Sequence, residues 1–208
     1  MAYRTAKQLR RLGDKQFFED IKKYIKSSHS FYETRAPELK VLAKRLHEEY
    51  SLREFYKIFN KFWSSGSSKQ SSLAIYTLQM YKDDFDLYTW NFIKQKIKEL
   101  RSWDKIESIS INIIGEILAK NIRIEKEIIN FSRGKNIWLK KAAILSTIPQ
   151  IRNKDFQLAM KLIDLHLYDK EEQVQKAVGM VLKEIGEQNP ALLRRIILKN
   201  MNMPLITF

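Results

Sequence analysis

The stretch "SWDKIESISINIIGEIL", Ser102 to Leu118, decides how the rest of the chain is read. At about 100° per residue counted from Trp103, the residues Ile109, Ile113, Ile106, Ile117, Trp103, Ile114, Leu118 and Ile111 gather on one arc. That is the pattern of an amphipathic helix, expected over residues 103 to 120. One acid breaks it. Glu107 falls inside the apolar arc, whereas Asp104, Lys105, Glu116 and Lys120 lie outside it or at its margin. A carboxylate placed in an apolar stripe needs a reason.

The same periodicity recurs along the chain, and no segment alternates with period two for long enough to form a strand. Helices are expected near residues 5 to 26, 37 to 50, 52 to 63, 69 to 82, 85 to 99, 103 to 120, 123 to 132, 137 to 151, 154 to 168, 171 to 187 and 190 to 200. Pro37 and Pro190 suit first-turn positions, and "SSGSSKQ", Ser64 to Gln70, reads as a loop between helices. Helix starts repeat at Pro37, Lys69, Trp103, Ile137 and Glu171, in steps of 32, 34, 34 and 34 residues with two helices per step. A helix pair per unit at this period is the signature of an α-solenoid. The tetratricopeptide pattern is missing, so the expected fold is all-α, a single domain over 1–208 built of HEAT-like helix pairs with a basic concave face.

Composition narrows the partners. In 208 residues, 38 Lys and Arg against 24 Asp and Glu give a net charge of +14, which favours a polyanion. The absence of cysteine excludes disulfides, thiol catalysis and cysteine-ligated metal. His29, His47 and His166 have no metal-binding spacing. No apolar run approaches the roughly 20 residues of a membrane span, and the first residues lack the apolar core of a signal peptide. The expectation is a soluble, cytoplasmic monomer with no cofactor, no metal, no membrane association and no obligate protein partner.

Stacked repeats line up equivalent residues, and "WLKKAAIL" (Trp138 to Leu145) aligned on "VQKAVGMV" (Val174 to Val181) sets Lys141 against Lys176. A row of such lysines, with Lys140 beside it, is a candidate phosphate track. Lys141 also breaks an apolar arc, formed by Ile151, Ile144, Ile137, Ile148, Leu145 and Trp138. Lone charges in apolar surroundings are costly. Glu107 and Lys141 therefore read either as an ion pair that orients two helices or as groups flanking a ligand. Trp103 and Glu107, four residues apart, share one helix face. A ring face beside a carboxylate suits a developing cation. Deoxyribose losing its base is cationic at the anomeric carbon, and a base already alkylated on a ring nitrogen leaves with little acid catalysis.

These segments, with "YIKSSHSFYETRAPELKVLAKRL" (Tyr24 to Leu46), "NIWLKKAAIL" and "VQKAVGMVLKEIGEQNP" (Val174 to Pro190), resemble the AlkD-like DNA alkylation repair family of HEAT-like-repeat alkylpurine DNA glycosylases. The likeness covers roughly residues 20 to 200. It implies a monofunctional glycosylase that binds double-stranded alkylated DNA and removes cationic N3- or N7-alkylated purines without extruding the base. It assigns Trp103 and Glu107 to catalysis and Lys141 and Met180 to the DNA, where the lysine row adds Lys140 and Lys176. Trp103 matches the family's first active-site tryptophan. Glu107 stands for its catalytic aspartate, Lys141 for a basic residue that is usually arginine, and Met180 for its second tryptophan. These three departures favour a rival, a non-catalytic nucleic-acid-binding solenoid. A protein–protein scaffold is a third reading, which would show exposed apolar patches in place of aligned lysines.

Overall fold

The computed structural model describes residues 36–120 and 122–204, so the helix expected over 5 to 26 lies outside the described residues. The chain divides into two compact units, Met1–Tyr81 and Lys82–Phe208. Both are built of helices, and no strand occurs among the described residues.

Within the first unit, α1 (Ala36–Glu49), α2 (Leu52–Ser64) and α3 (Ser68–Gln79) follow the sequence expectation to within a few residues. Ser51 starts α2 by a reciprocal cap: the Glu54 side chain accepts from the Ser51 N–H at 2.9 Å while the Ser51 hydroxyl accepts from the Glu54 N–H. Gly66, at φ +71, turns the chain from α2 into α3, a conformation that a side chain disfavours. Phe55, Phe59, Phe62, Leu73 and Leu78 form the core.

The second unit carries α4 (Leu87–Glu99), then α5 (Trp103–Ile109) and α6 (Gly115–Lys120) joined through a π turn at Ser110–Ile114. Next come α7 (Glu125–Arg133), α8 (Ile137–Leu145), α9 (Ile148–Arg152), α10 (Gln157–His166), α11 (Glu172–Gln188) and α12 (Pro190–Lys199). The helices α5, α8 and α11 begin 34 and 35 residues apart, and α8 packs against both of the others. Helix α7 packs on α10 in the same way. Polar bridges keep the same interval: Lys94 Nζ to Glu127 Oε2 at 2.7 Å, Lys161 Nζ to Glu125 Oε1 at 3.1 Å, and Arg152 to both Glu184 carboxylate oxygens at 3.0 and 3.1 Å. Each joins residues 32 to 36 positions apart.

Two helices depart from expectation. The one expected over 137 to 151 breaks after Leu145, because Pro149 has no N–H for the Leu145 carbonyl and its ring crowds that turn. The hydroxyls of Ser146 and Thr147 donate to the carbonyls of Ala143 and Ile144, each at 2.8 Å. Ile148 and Ile151 therefore belong to a different helix from Lys141, and the arc drawn through them for α8 does not exist. Residues 137 to 145 instead sit centrally, with Lys141, Ala142, Ala143, Ile144 and Leu145 all buried.

The second departure lies in the opening stretch. Its hydrogen bonding lengthens at Ser110–Ile114, where the Gly115 N–H donates to the Ser110 carbonyl five residues back. Such a turn holds one residue more than an α-turn and sets everything after it back by up to about 100°. Two features accompany it. Buried Ser110 donates its hydroxyl to the Ile106 carbonyl, a back-bond that bends helices. Gly115 lies against the α8–α9 break, where a Cβ would meet Pro149 Cγ and Cδ at 2.7 Å and the Ser146 carbonyl oxygen at 2.8 Å.

Gly115→Ala should accordingly destabilise the protein, although alanine is the better helix former. Backbone oxygen and proline ring cannot yield as a flexible side chain can, so a cost of about 1 to 3 kcal/mol is expected. Thermal denaturation should show a fall of about 2 to 4 °C per kcal/mol. An unchanged or higher Tm would mean that the close approach is not required.

Candidate nucleic-acid interface

The π turn settles where Glu107 goes. Ile106, Ile109, Ser110, Ile113, Ile114, Ile117 and Leu118 are all buried, whereas Trp103 is 60% exposed and Glu107 and Ile111 are half-buried. A straight helix would have put Ile114 and Leu118 on either side of Glu107. The extra residue moves them away, so Trp103, Glu107 and Ile111 form their own row at the edge of the buried stripe. The reading of Glu107 as inside the apolar arc is corrected by that shift.

Trp103 and Glu107 open onto a cavity of about 830 Å³. Helix α8 contributes Lys141 to it, and α11 contributes Gln173, Lys176 and Met180 at helical spacing on one face. Lys183, also on α11, and Leu193 of α12 complete the lining. Five of the six residues singled out in the sequence thus meet at one place. Gln173 was not among them, although it lies three residues before Lys176 on the same face.

Lys141 is only 3% exposed. Its ammonium donates to Gln173 Oε1 at 3.2 Å and stands 5.9 Å from the centre of the Trp103 ring, at the outer limit of a cation–π contact. Glu107 forms neither a hydrogen bond nor an ion pair among the described residues, so of the two readings of this pair the direct salt bridge is not formed. The charges still sense each other. Burial pulls the Lys141 pKa below the ordinary lysine value, Glu107 works against that and Lys176 adds to it.

Lys140 does not line the cavity. Its ammonium pairs with Asp169 Oδ2 at 2.8 Å, and His166 Nδ1 lies 3.2 Å from the same oxygen. Burial raises the Asp169 pKa, but Lys140, the Glu171 N–H and His166 outweigh it and hold the carboxyl below its usual range. Gln175 completes this corner by donating to the carbonyls of His166, Leu167 and Asp169. Lys140 therefore ties the α10–α11 connection to α8. Lys176 is exposed and pairs with Glu172 one turn away at 2.5 Å, a surface contact of little energetic weight.

The profile of a family described as DNA alkylation repair enzyme matches residues 5–207, nearly the whole chain. The chain belongs to the DNA alkylation repair enzyme family. Among solved structures it is similar to a predicted DNA alkylation repair enzyme from Enterococcus faecalis, with a TM-score of 0.73 and 19% identity over 91% of this chain and 90% of that one. That likeness shows the fold. A structure from Streptococcus mutans UA159 matches with a TM-score of 0.48 and 18% identity, over 80% of this chain and 91% of that one. No curated protein matches. Family membership places the chain in DNA alkylation repair, and no helix among the described residues is long and apolar enough to cross a membrane.

Because Glu107 and Lys141 are not bonded, their stabilities should separate. Glu107→Gln should change unfolding free energy by no more than about 0.5 kcal/mol. Lys141→Met should raise it by about 1 kcal/mol, since it removes a desolvated charge held by a neutral acceptor. Denaturant titration of both variants checks this, and a loss of stability in Glu107→Gln would indicate a structural ion pair.

Proposed function

We propose that the protein is a DNA glycosylase that binds duplex DNA and hydrolyses the N-glycosidic bond of cationic N3- or N7-alkylated purines. The observation that supports it is the convergence of Trp103, Glu107 and Lys141, from two helices 34 residues apart, on a single cavity in a member of a DNA alkylation repair family. Single-domain, HEAT-like organisation over 1–208, monomeric action, and independence of metal or cofactor belong to the same reading.

In this mechanism the exposed Trp103 face receives the positively charged base. Glu107, one turn along and with no hydrogen bond or ion pair among the described residues, stabilises charge developing at the anomeric carbon and orients the attacking water. An ammonium at Lys141 would repel a cationic lesion, and the burial that lowers its pKa reduces that opposition. Lys176 and Lys183 stand at the cavity edge to meet phosphate, while Met180 supplies a flexible apolar contact. Lys140, engaged with Asp169, contributes to the scaffold behind that surface.

Incubation with duplex DNA carrying 7-methylguanine should release free base. Glu107→Gln should abolish release while leaving duplex affinity equal or higher, because a negative charge near phosphate is removed. Met180→Trp should raise activity, since a ring near the cation contributes roughly 0.5 to 2 kcal/mol. No release by either wild type or Met180→Trp would overturn the glycosylase reading in favour of a non-catalytic DNA-binding protein.

Duplex affinity should fall steeply with salt. Charge reversal at Lys176 and Lys183 together should flatten the plot of log K against log salt by about 0.9 per lost phosphate contact. An unchanged slope would place the DNA elsewhere on the protein.

A further inference from the structure

Lys141 has the surroundings of a reactive amine, not of a phosphate clamp. It is nearly wholly buried, yet it lines the cavity that holds Trp103 and Glu107. Among the described residues its ammonium donates to the neutral amide oxygen of Gln173, and no carboxylate stands within ion-pair distance. A phosphate in solvent is met more readily by an exposed ammonium such as that of Lys176. An amine with this setting spends more of its time unprotonated, with its lone pair free to attack. Arginine, the usual residue of the resembled family here, cannot do so.

We propose that Lys141 is a nucleophile for the aldehyde of an abasic deoxyribose in DNA, which gives the protein an abasic-site lyase activity and departs from the monofunctional chemistry that the resemblance implies. The Nζ lone pair bonds to C1′ of the open-chain sugar, and the resulting hydroxyl takes up a solvent proton and leaves as water, forming an iminium. That cation acidifies C2′, whose proton passes to the Glu107 carboxylate. The electron pair of the C2′–H bond forms the C2′–C3′ double bond, and the C3′–O bond breaks with its electrons departing on the 3′-phosphate. Water then hydrolyses the iminium, releases the unsaturated aldehyde and restores the amine. No oxidant or reductant is involved. The inference rests on the reading that DNA sugar enters this cavity, but it does not require the protein to release a base.

The test uses the full chain and a duplex with a preformed abasic site, made from a uracil-containing strand, in the presence of sodium borohydride to reduce the iminium. A covalent protein–DNA adduct is expected, and without borohydride the abasic strand should be nicked. Proteolysis and mass spectrometry of the trapped adduct should locate the sugar on Lys141. Lys141→Arg, which keeps the charge, should lower both adduct and nicking at least tenfold. A duplex with a tetrahydrofuran analogue, which has no aldehyde, should give neither. Absence of the adduct or of nicking in wild type, attachment at a different amine, or equal yields from Lys141→Arg would each overturn the proposal. Failure to release 7-methylguanine alongside a trapped Lys141 adduct would overturn the glycosylase reading alone.

Discussion

A helix that carries one residue too many in a single turn changes which side chains it buries, and in this protein that turn separates a core face from a face open to a cavity. Before Ser110 the buried positions are Ile106 and Ile109; after it they are Ile113, Ile114, Ile117 and Leu118. Without the extra residue Ile114 and Leu118 would flank Glu107. With it, the row Trp103–Glu107–Ile111 is left uncovered, and the exposed ring and half-buried carboxylate open onto the cavity. Gly115 and Pro149 are the counterpart of this device. The helix can deviate there because the neighbouring helix breaks there, and the glycine lets the two irregularities approach closely.

Around that point the repeat supplies the rest. Placing α8 one period after α5 brings Lys141 to the Trp103 ring, and placing α11 one period later brings Gln173 to the Lys141 ammonium. The cavity is thus a product of stacking, with each wall contributed by a different repeat. A helix buried as thoroughly as α8 can hold a lysine only if its head group reaches such a space. Lys140, its neighbour in sequence, points a different way and spends its charge on Asp169. Two adjacent lysines consequently have unlike environments.

Much of this was legible in the sequence because periodicity is a property of residue order. The helix pairs, the spacing near 34 residues and the pairing of Trp103 with Glu107 all follow from it. Pro190 also stands where a first-turn proline belongs. What escaped was whatever depends on a neighbour distant in the chain. A wheel drawn at constant pitch cannot show the π turn at Ser110–Ile114, since the backbone lengthens there against Pro149. The same wheel ran through Thr147 and assigned Ile148 and Ile151 to the helix of Lys141, although a proline at 149 was signal enough for a break. Lys140 read as a phosphate ligand because Asp169 lies 29 residues away, and only packing reveals that they meet. Gln173 carries no charge to betray it, yet its amide oxygen is what holds Lys141.

The central claim is that this cavity receives a deoxyribose of duplex DNA. A crystal structure of the protein with a duplex carrying a single stable abasic-sugar analogue tests it most directly. The account predicts that sugar at the Trp103 face, its ring within hydrogen-bonding distance of the Glu107 carboxylate, with flanking phosphates beside Lys176 and Lys183. DNA bound on a surface that leaves Trp103, Glu107 and Lys141 without contact to the sugar would contradict it.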